Sequence, residues 1–281
     1  MKAILRFELR RAFVNRAYFL ALGVGIGICL WHIIFGVIPR FNEYSFFYEQ
    51  AIASSGATYP ISLFNTWVAL GGGQVGSLVR NLYFFILPLL ICIPFVGSYY
   101  SDRAHGYAIN VVTRVKASHY YCAKLLTIFL TAASIAVIPL IFSLLATALF
   151  IPAVIPELTS SQFVIRGSAM WSDIFYKAPL LYCAMYLVLI AVFSGLIALL
   201  GAVIAHYVGN VVFCLLAPFV VYTFSAFLLG ALRLSQYSFS SFLRPEQPLP
   251  AEGLAVFLTF AILVAGFGAF FYFKIRKDEL Y

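Results

Sequence analysis

The side chains able to do chemistry in this chain are few and dispersed. Ten carboxylates and four histidines are spread over 281 residues. His32, His105, His119 and His206 stand at spacings that suit no metal-binding helix motif. Covalent or acid–base catalysis would need a nucleophile with a base, or a pair of carboxylates, and neither arrangement is visible. The glycine run GGGQVG from Gly71 invites comparison with a phosphate cradle, but Ser77 and Leu78 follow Gly76 where a P-loop requires Lys and then Ser or Thr. Cys29, Cys92, Cys122, Cys183 and Cys214 show no paired spacing and read as packing residues. The chain is therefore not expected to be an enzyme or to bind a cofactor or metal. Between its apolar runs one charged segment stands out, after residue 100, where Asp102, Arg103, Arg114 and Lys116 follow one such run and precede another.

The elements that must position those charges belong in a bilayer. Hydrophobic residues make up 63% of the chain and charged ones 10%, against about half and about a quarter in soluble domains. So little polar surface cannot cover a water-soluble protein of this length. The apolar runs are continuous and about 20 residues long, which indicates helices and not the alternating strands of a barrel. The expected fold is an all-α integral membrane protein, a single membrane domain over 1–281 with six spans. The run from Ala17 to Ile38 would rise roughly 33 Å as a helix, enough to cross, and no small-residue cleavage pattern follows it. At the other end the letters KDEL precede Tyr281, so a receptor reading the free terminus would not accept them.

In chain order, residues 1–16 read either as a basic interfacial helix, in which Lys2, Arg6 and Arg10 recur every four positions beside Leu5, Leu9 and Phe13, or as a positively charged flank that merely fixes orientation. The first span, Tyr18 to Ile38, contains Gly23, Gly25 and Gly27, suited to close helix contact, and His32, expected to be a hydrogen-bonded interfacial histidine. Residues 39–80 are aromatic and should form short helices at the membrane surface or dipping partway in. The second span, Leu82 to Tyr99, should kink at Pro88 and Pro94. Spans follow over Tyr121–Phe150, Pro179–Ala202, from about Asn210 to Leu232, and Leu254–Phe273, with further outer segments at 151–178 and 233–252.

Lys and Arg counts orient this arrangement. With the N-terminus inside, the inner segments hold Lys2, Arg6, Arg10, Arg11, Arg16, Arg103, Arg114, Lys116, Lys124, Lys274, Arg276 and Lys277, which is 12 of the 18 basic residues. The outer ones hold Arg40, Arg80, Arg166, Lys177, Arg233 and Arg244. Both termini are thus expected in the cytoplasm. The net charge of +8 is accounted for by this asymmetry and calls for no nucleic acid. No span carries a carboxylate at mid-depth, which argues against ion-coupled transport.

The inner segment 101–118 reads as a short helix capped by Ser101. Ala108, Ile109, Val112 and Val115 would form its apolar side, Gly106 would permit a bend, and Ser118 would cap the next helix. Asp102, Arg103, Arg114 and Lys116 would face water or a second protein. An ordinary basic inner loop is the plainer reading of the same residues.

The order of parts resembles the membrane subunits of the ABC type-2 permease family. The matching features are the basic N-terminal helix, six spans, and a second span running into Ser101, Asp102, Arg103 and Gly106. Thr113, Arg114, Val115, Lys116, Ala117 and Ser118 follow, with Tyr121 and Lys124 entering span three, and a basic tail from Lys274 to Asp278 completes the set. The resemblance implies a bacterial cytoplasmic-membrane, multi-pass exporter subunit. Two permease subunits, expected as a homodimer, would face each other, and two separate ABC ATPase chains would carry ATP and Mg. Asp102, Arg103, His105, Gly106, Tyr107, Arg114, Lys116, Arg6 and Arg10 would couple to those ATPases. The many Phe and Tyr residues suit a hydrophobic or amphipathic cargo such as a membrane-active peptide, a lipid or a drug. An ATP-independent carrier or channel, and a membrane scaffold without transport, remain open alternatives.

Overall fold

A computed structural model of the chain describes residues 2–43, 45, 62–68, 73–113, 115–156, 165, 167–247 and 252–279. Every regular element among them is helical. Six helices are long and apolar enough to cross a membrane, from Arg16–Glu43 to Gly253–Phe273.

The N-terminal helix α1 (Lys2–Phe13) ends at a sharp turn before α2 (Arg16–His32). Asn15 caps α2, its side-chain oxygen accepting from the Ala17 amide at 3.1 Å. Beyond His32 the helix widens into a π turn, Ile33–Val37, and runs on to Glu43. A short helix α3 (Leu63–Val68) is buried along its whole length, and the Trp67 indole donates to the Leu140 carbonyl at 3.1 Å. Of the short helices expected in this aromatic segment, this one is found, packed into the bundle; the remaining aromatics of that segment between residues 44 and 61 lie outside the described residues.

The second span consists of α4 (Gly73–Cys92) and α5 (Val96–Ala104). Of the two prolines, Pro88 sits within α4, whereas the break falls at Pro94. Proline offers no amide hydrogen to the preceding turn and disfavours the helical conformation of the residue before it. The helix resumes at once and does not stop at Gly97 and Ser98. It passes through Ser101, which consequently is not a cap, and carries Asp102 inward as part of the span.

After a turn at Gly106 come α6 (Tyr107–Val112) and the long α7 (Ala117–Ala148). Lys116, not Ser118, occupies the cap position of α7, so Lys124 lies two turns inside the helix. The chain continues through α8 (Ser172–Lys177), α9 (Pro179–Tyr207), α10 (Val211–Ala231), α11 (Phe239–Phe242) and α12 (Gly253–Glu279). Pro179 starts α9 at the position where its missing amide hydrogen matters least. The connection between α9 and α10 is very short, as its sequence suggests, and Asn210 caps α10 by accepting from the Val212 amide at 2.9 Å.

The centre of the bundle is the packing of α7 on α9. Gly195 lets the Phe129 ring lie against the α9 backbone, where a Cβ would collide with it. At Gly201 a Cβ would meet Val96 at 2.6 Å and the Cys214 carbonyl at 2.8 Å, so α5, α9 and α10 meet at that one position. Of the three glycines in α2, only Gly25 makes such a contact, against Pro139. The spans of α10 and α12 are only 17% and 11% buried, which puts these two helices on the outside of the bundle.

At the end of the bundle away from α1, the residues after α10 fold back over the spans. Arg80 Nε lies 2.9 Å from Glu246, and Arg244 donates to the Asn81 side chain at 2.9 Å. Gln247 grips the backbone of Met170 through both its amide atoms at 2.8 Å, holding itself at a φ of 44°. Burial pushes the Glu246 carboxyl above its ordinary range, against the opposing pull of Arg80 and Arg244.

Candidate functional site

The charged residues gather at the end of the bundle that holds α1, the α5–α6 turn and the start of α7. Lys124 is fully buried there, and its ammonium donates to Glu8 Oε2 at 3.0 Å and to Asp102 Oδ2 at 2.6 Å. The Phe95 ring lies 4.3 Å from the same nitrogen, giving it a π face in place of a third oxygen. Asp102 is 2% exposed and receives two further donors, Arg11 Nη1 at 2.8 Å and the Tyr120 hydroxyl at 3.3 Å. Arg11 also stands over the Tyr107 ring.

Three segments distant in sequence are thus held by four charges that sum to zero. Glu8 comes from α1, Asp102 from the last turn of the second span and Lys124 from the third span. Burying a lone lysine or carboxylate is prohibitive, so each of these side chains requires the others in order to be where it is. This closure is what permits the spans to run through the charged residues as unbroken helix. Burial lowers the basicity of Arg11, but its hydrogen bond to Asp102 and the fields of Asp102 and Glu8 outweigh that and hold its pKa above the ordinary value. Tyr107 is pushed upward, first by burial and then by the negative field of Glu8 and Asp102.

Neighbouring bonds extend the cluster into the bundle. The Asn15 side chain, at the turn between α1 and α2, donates to the carbonyl of Pro94 at 2.9 Å. The Tyr100 hydroxyl donates to the Gly209 carbonyl at 2.7 Å, tying α5 to the turn between α9 and α10. Gly106 adopts a φ of 71°, a conformation that favours glycine, and lets the chain reverse from α5 into α6. His105 is exposed beside it, with Nδ1 2.9 Å from the Ser101 carbonyl.

The sequence-derived candidates divide accordingly. Asp102 does not face water as expected; it is buried because three donors converge on it. Tyr107 is half-buried at the rim, and Gly106 makes the turn. Lys116, Arg6 and Arg10 are exposed. Arg114 and the side chains of Arg103, Ala108, Ile109 and Val112 lie outside the described residues. Glu8, Arg11, Lys124, Tyr120 and Phe95 were not singled out as contributors to a site by their sequence context. For Glu8 a signal exists: it is the only acid in the first 42 residues, set opposite a basic stripe.

Among the described residues no group of three His, Cys, Asp or Glu side chains gathers to hold a metal ion. His32 is fully buried in the first span, with Nδ1 3.4 Å from the Ser143 hydroxyl, a polar contact between α2 and α7. The cluster pairs its four charges with one another, while Glu8 Oε1 has no hydrogen-bond partner among the described residues. It can transmit force, because displacing any one of its helices would expose an unpaired charge. No family model matches the chain, and no curated protein or solved structure matches it.

Proposed function

We propose that this chain is the membrane subunit of an ATP-driven exporter, resembling the ABC type-2 permeases, with both termini in the cytoplasm. The observation that carries the reading is the buried Glu8–Lys124–Asp102–Arg11 cluster. It joins the N-terminal helix, the end of the second span and the start of the third into one unit at the basic end of the bundle. A separate ATPase pressing beside the Gly106 turn, where Ala104 and His105 are exposed, would move that unit as a body, since the charges keep its parts from sliding past one another. The turn between α9 and α10 would follow through Tyr100. Two copies of the chain would enclose the path, and hydrolysis would belong to the partner.

Cargo follows from the same reading. Phe and Tyr are abundant, with 29 and 18 copies, while the described ion pairs sit at the two ends of the bundle. Such a path suits a hydrophobic or amphipathic compound such as a membrane-active peptide, a lipid or a drug. The test is export from cells carrying Arg103→Glu, Arg114→Glu and Lys116→Glu together, measured as retention of a fluorescent amphipathic compound. An ATP-coupled exporter loses efflux in this variant. Efflux that continues at the wild-type rate, or in cells depleted of ATP, would point to a carrier that needs no partner.

A further inference from the structure

Helix α1 uses only one of its faces in the buried cluster. Glu8 and Ala12 are buried, and Leu5 and Leu9 flank them, so this face is committed to the bundle. At 3.6 residues per turn the opposite arc carries two adjoining bands. One is the row Lys2, Arg6 and Arg10, all exposed. The other is apolar and runs through Ala3, Phe7 and Val14, with Phe7 and Val14 exposed by 56% and 70%.

The apolar band does not end with the helix. It leads across the Asn15 turn to Phe19 and Leu20, exposed by 60% and 63% on the first turns of α2, a span whose outward side chains meet hydrocarbon. The row of cations is uninterrupted by acid, because Glu8, the helix's one carboxylate, is turned inward and bonded to Lys124. An apolar edge continuous with a lipid-facing span, beside a row of unopposed cations, is the layout of a helix lying in the interface. Its apolar band sits at the acyl boundary and its cations at the depth of the phosphates.

We propose that Lys2, Arg6 and Arg10 form a binding surface for the headgroups of anionic phospholipids, so that the two faces of α1 serve different partners. The inward face joins the ionic cluster and the outward face grips the membrane. An acidic protein surface would satisfy the three cations equally well but would leave Phe7 and Val14, and their continuation on α2, without an apolar environment. The lipid satisfies both bands. This assignment moves Arg6 and Arg10 away from ATPase contact and stands independently of the exporter reading, since it concerns the chain alone.

The experiment uses the full-length chain in mild detergent with an equimolar mixture of phosphatidylglycerol and phosphatidylcholine, and reads retained lipids by native mass spectrometry. The wild type should retain phosphatidylglycerol preferentially, and Lys2→Gln, Arg6→Gln and Arg10→Gln should each lower that preference by about fivefold. Phe7→Ser with Val14→Ser should lower retention of both lipids while leaving the preference in place. An unchanged preference in the triple Gln variant, verified as folded by its thermal midpoint, would overturn the proposal. Displacement of the lipid by inorganic phosphate would also overturn it, by showing a site for free anions. So would a triple variant that binds lipid normally but no longer recovers a soluble protein partner from native membranes.

Discussion

Lys124 carries the cluster at the scale of single residues. Its ammonium is fully buried and serves two carboxylates, through Glu8 Oε2 and Asp102 Oδ2, and Glu8 Oε1 has no hydrogen-bond partner among the described residues. Replacing it by Met keeps the volume and removes the charge, leaving Glu8 and Asp102 buried without it. Breaking one partner out of a buried ionic group destabilises by about 3–5 kcal/mol, whereas neutralising all members together is far milder. Lys124→Met should therefore lower the thermal midpoint in detergent sharply, and Glu8→Gln with Asp102→Asn added to it should restore most of the loss. Equal midpoints for the single and triple variants would show that the charges are not interdependent. Such a cluster was only half legible beforehand. Asp102 stands out in sequence because it ends an apolar run, but Lys124 looks like the flank of a span and Glu8 like a minor exception in a basic stretch. The bonds from α1 join residues 91 and 116 positions apart, which leaves no local pattern to read.

Among the elements, the spans were legible and their ends were not. Each of the six expected runs corresponds to a long apolar helix, because hydrocarbon demands continuous apolar sequence and internally bonded backbone. The ends differ because a charge does not stop a helix when a partner neutralises it, as the passage of α5 through Asp102 and of α7 through Lys124 shows. Glycine roles were equally hidden, since only the neighbour decides them. A Cβ at Gly201 would meet side chain and backbone of two other helices, whereas one at Gly23 would find nothing within 4 Å. Gly201→Ala should accordingly destabilise by about 1–3 kcal/mol through overpacking. Gly23→Ala should leave the thermal midpoint unchanged or slightly higher. The reverse order would mean that α5, α9 and α10 do not meet as described.

For the whole molecule, the architecture divides labour between two ends. The end away from α1 is closed by a folded-back segment held through Glu246 and Gln247, and the basic end presents a turn around Gly106 braced by buried charge. Under the proposed function, the turn around Gly106 is where a partner's push would be passed to the braced helices. Six spans, the basic flanks and the turn were visible in the residues; the bracing was not, since it exists only once α1, α5 and α7 are side by side.

The most direct measurement is affinity purification of the tagged chain from its native membrane in mild detergent, with mass spectrometry of everything that accompanies it. The account predicts a soluble ATPase bearing Walker motifs in the wild-type preparation. It predicts loss of that ATPase when Arg103, Arg114 and Lys116 become Glu, and its retention when Lys2, Arg6 and Arg10 become Gln. A chain that comes down alone, or an ATPase that stays bound after the charge reversal, would contradict it.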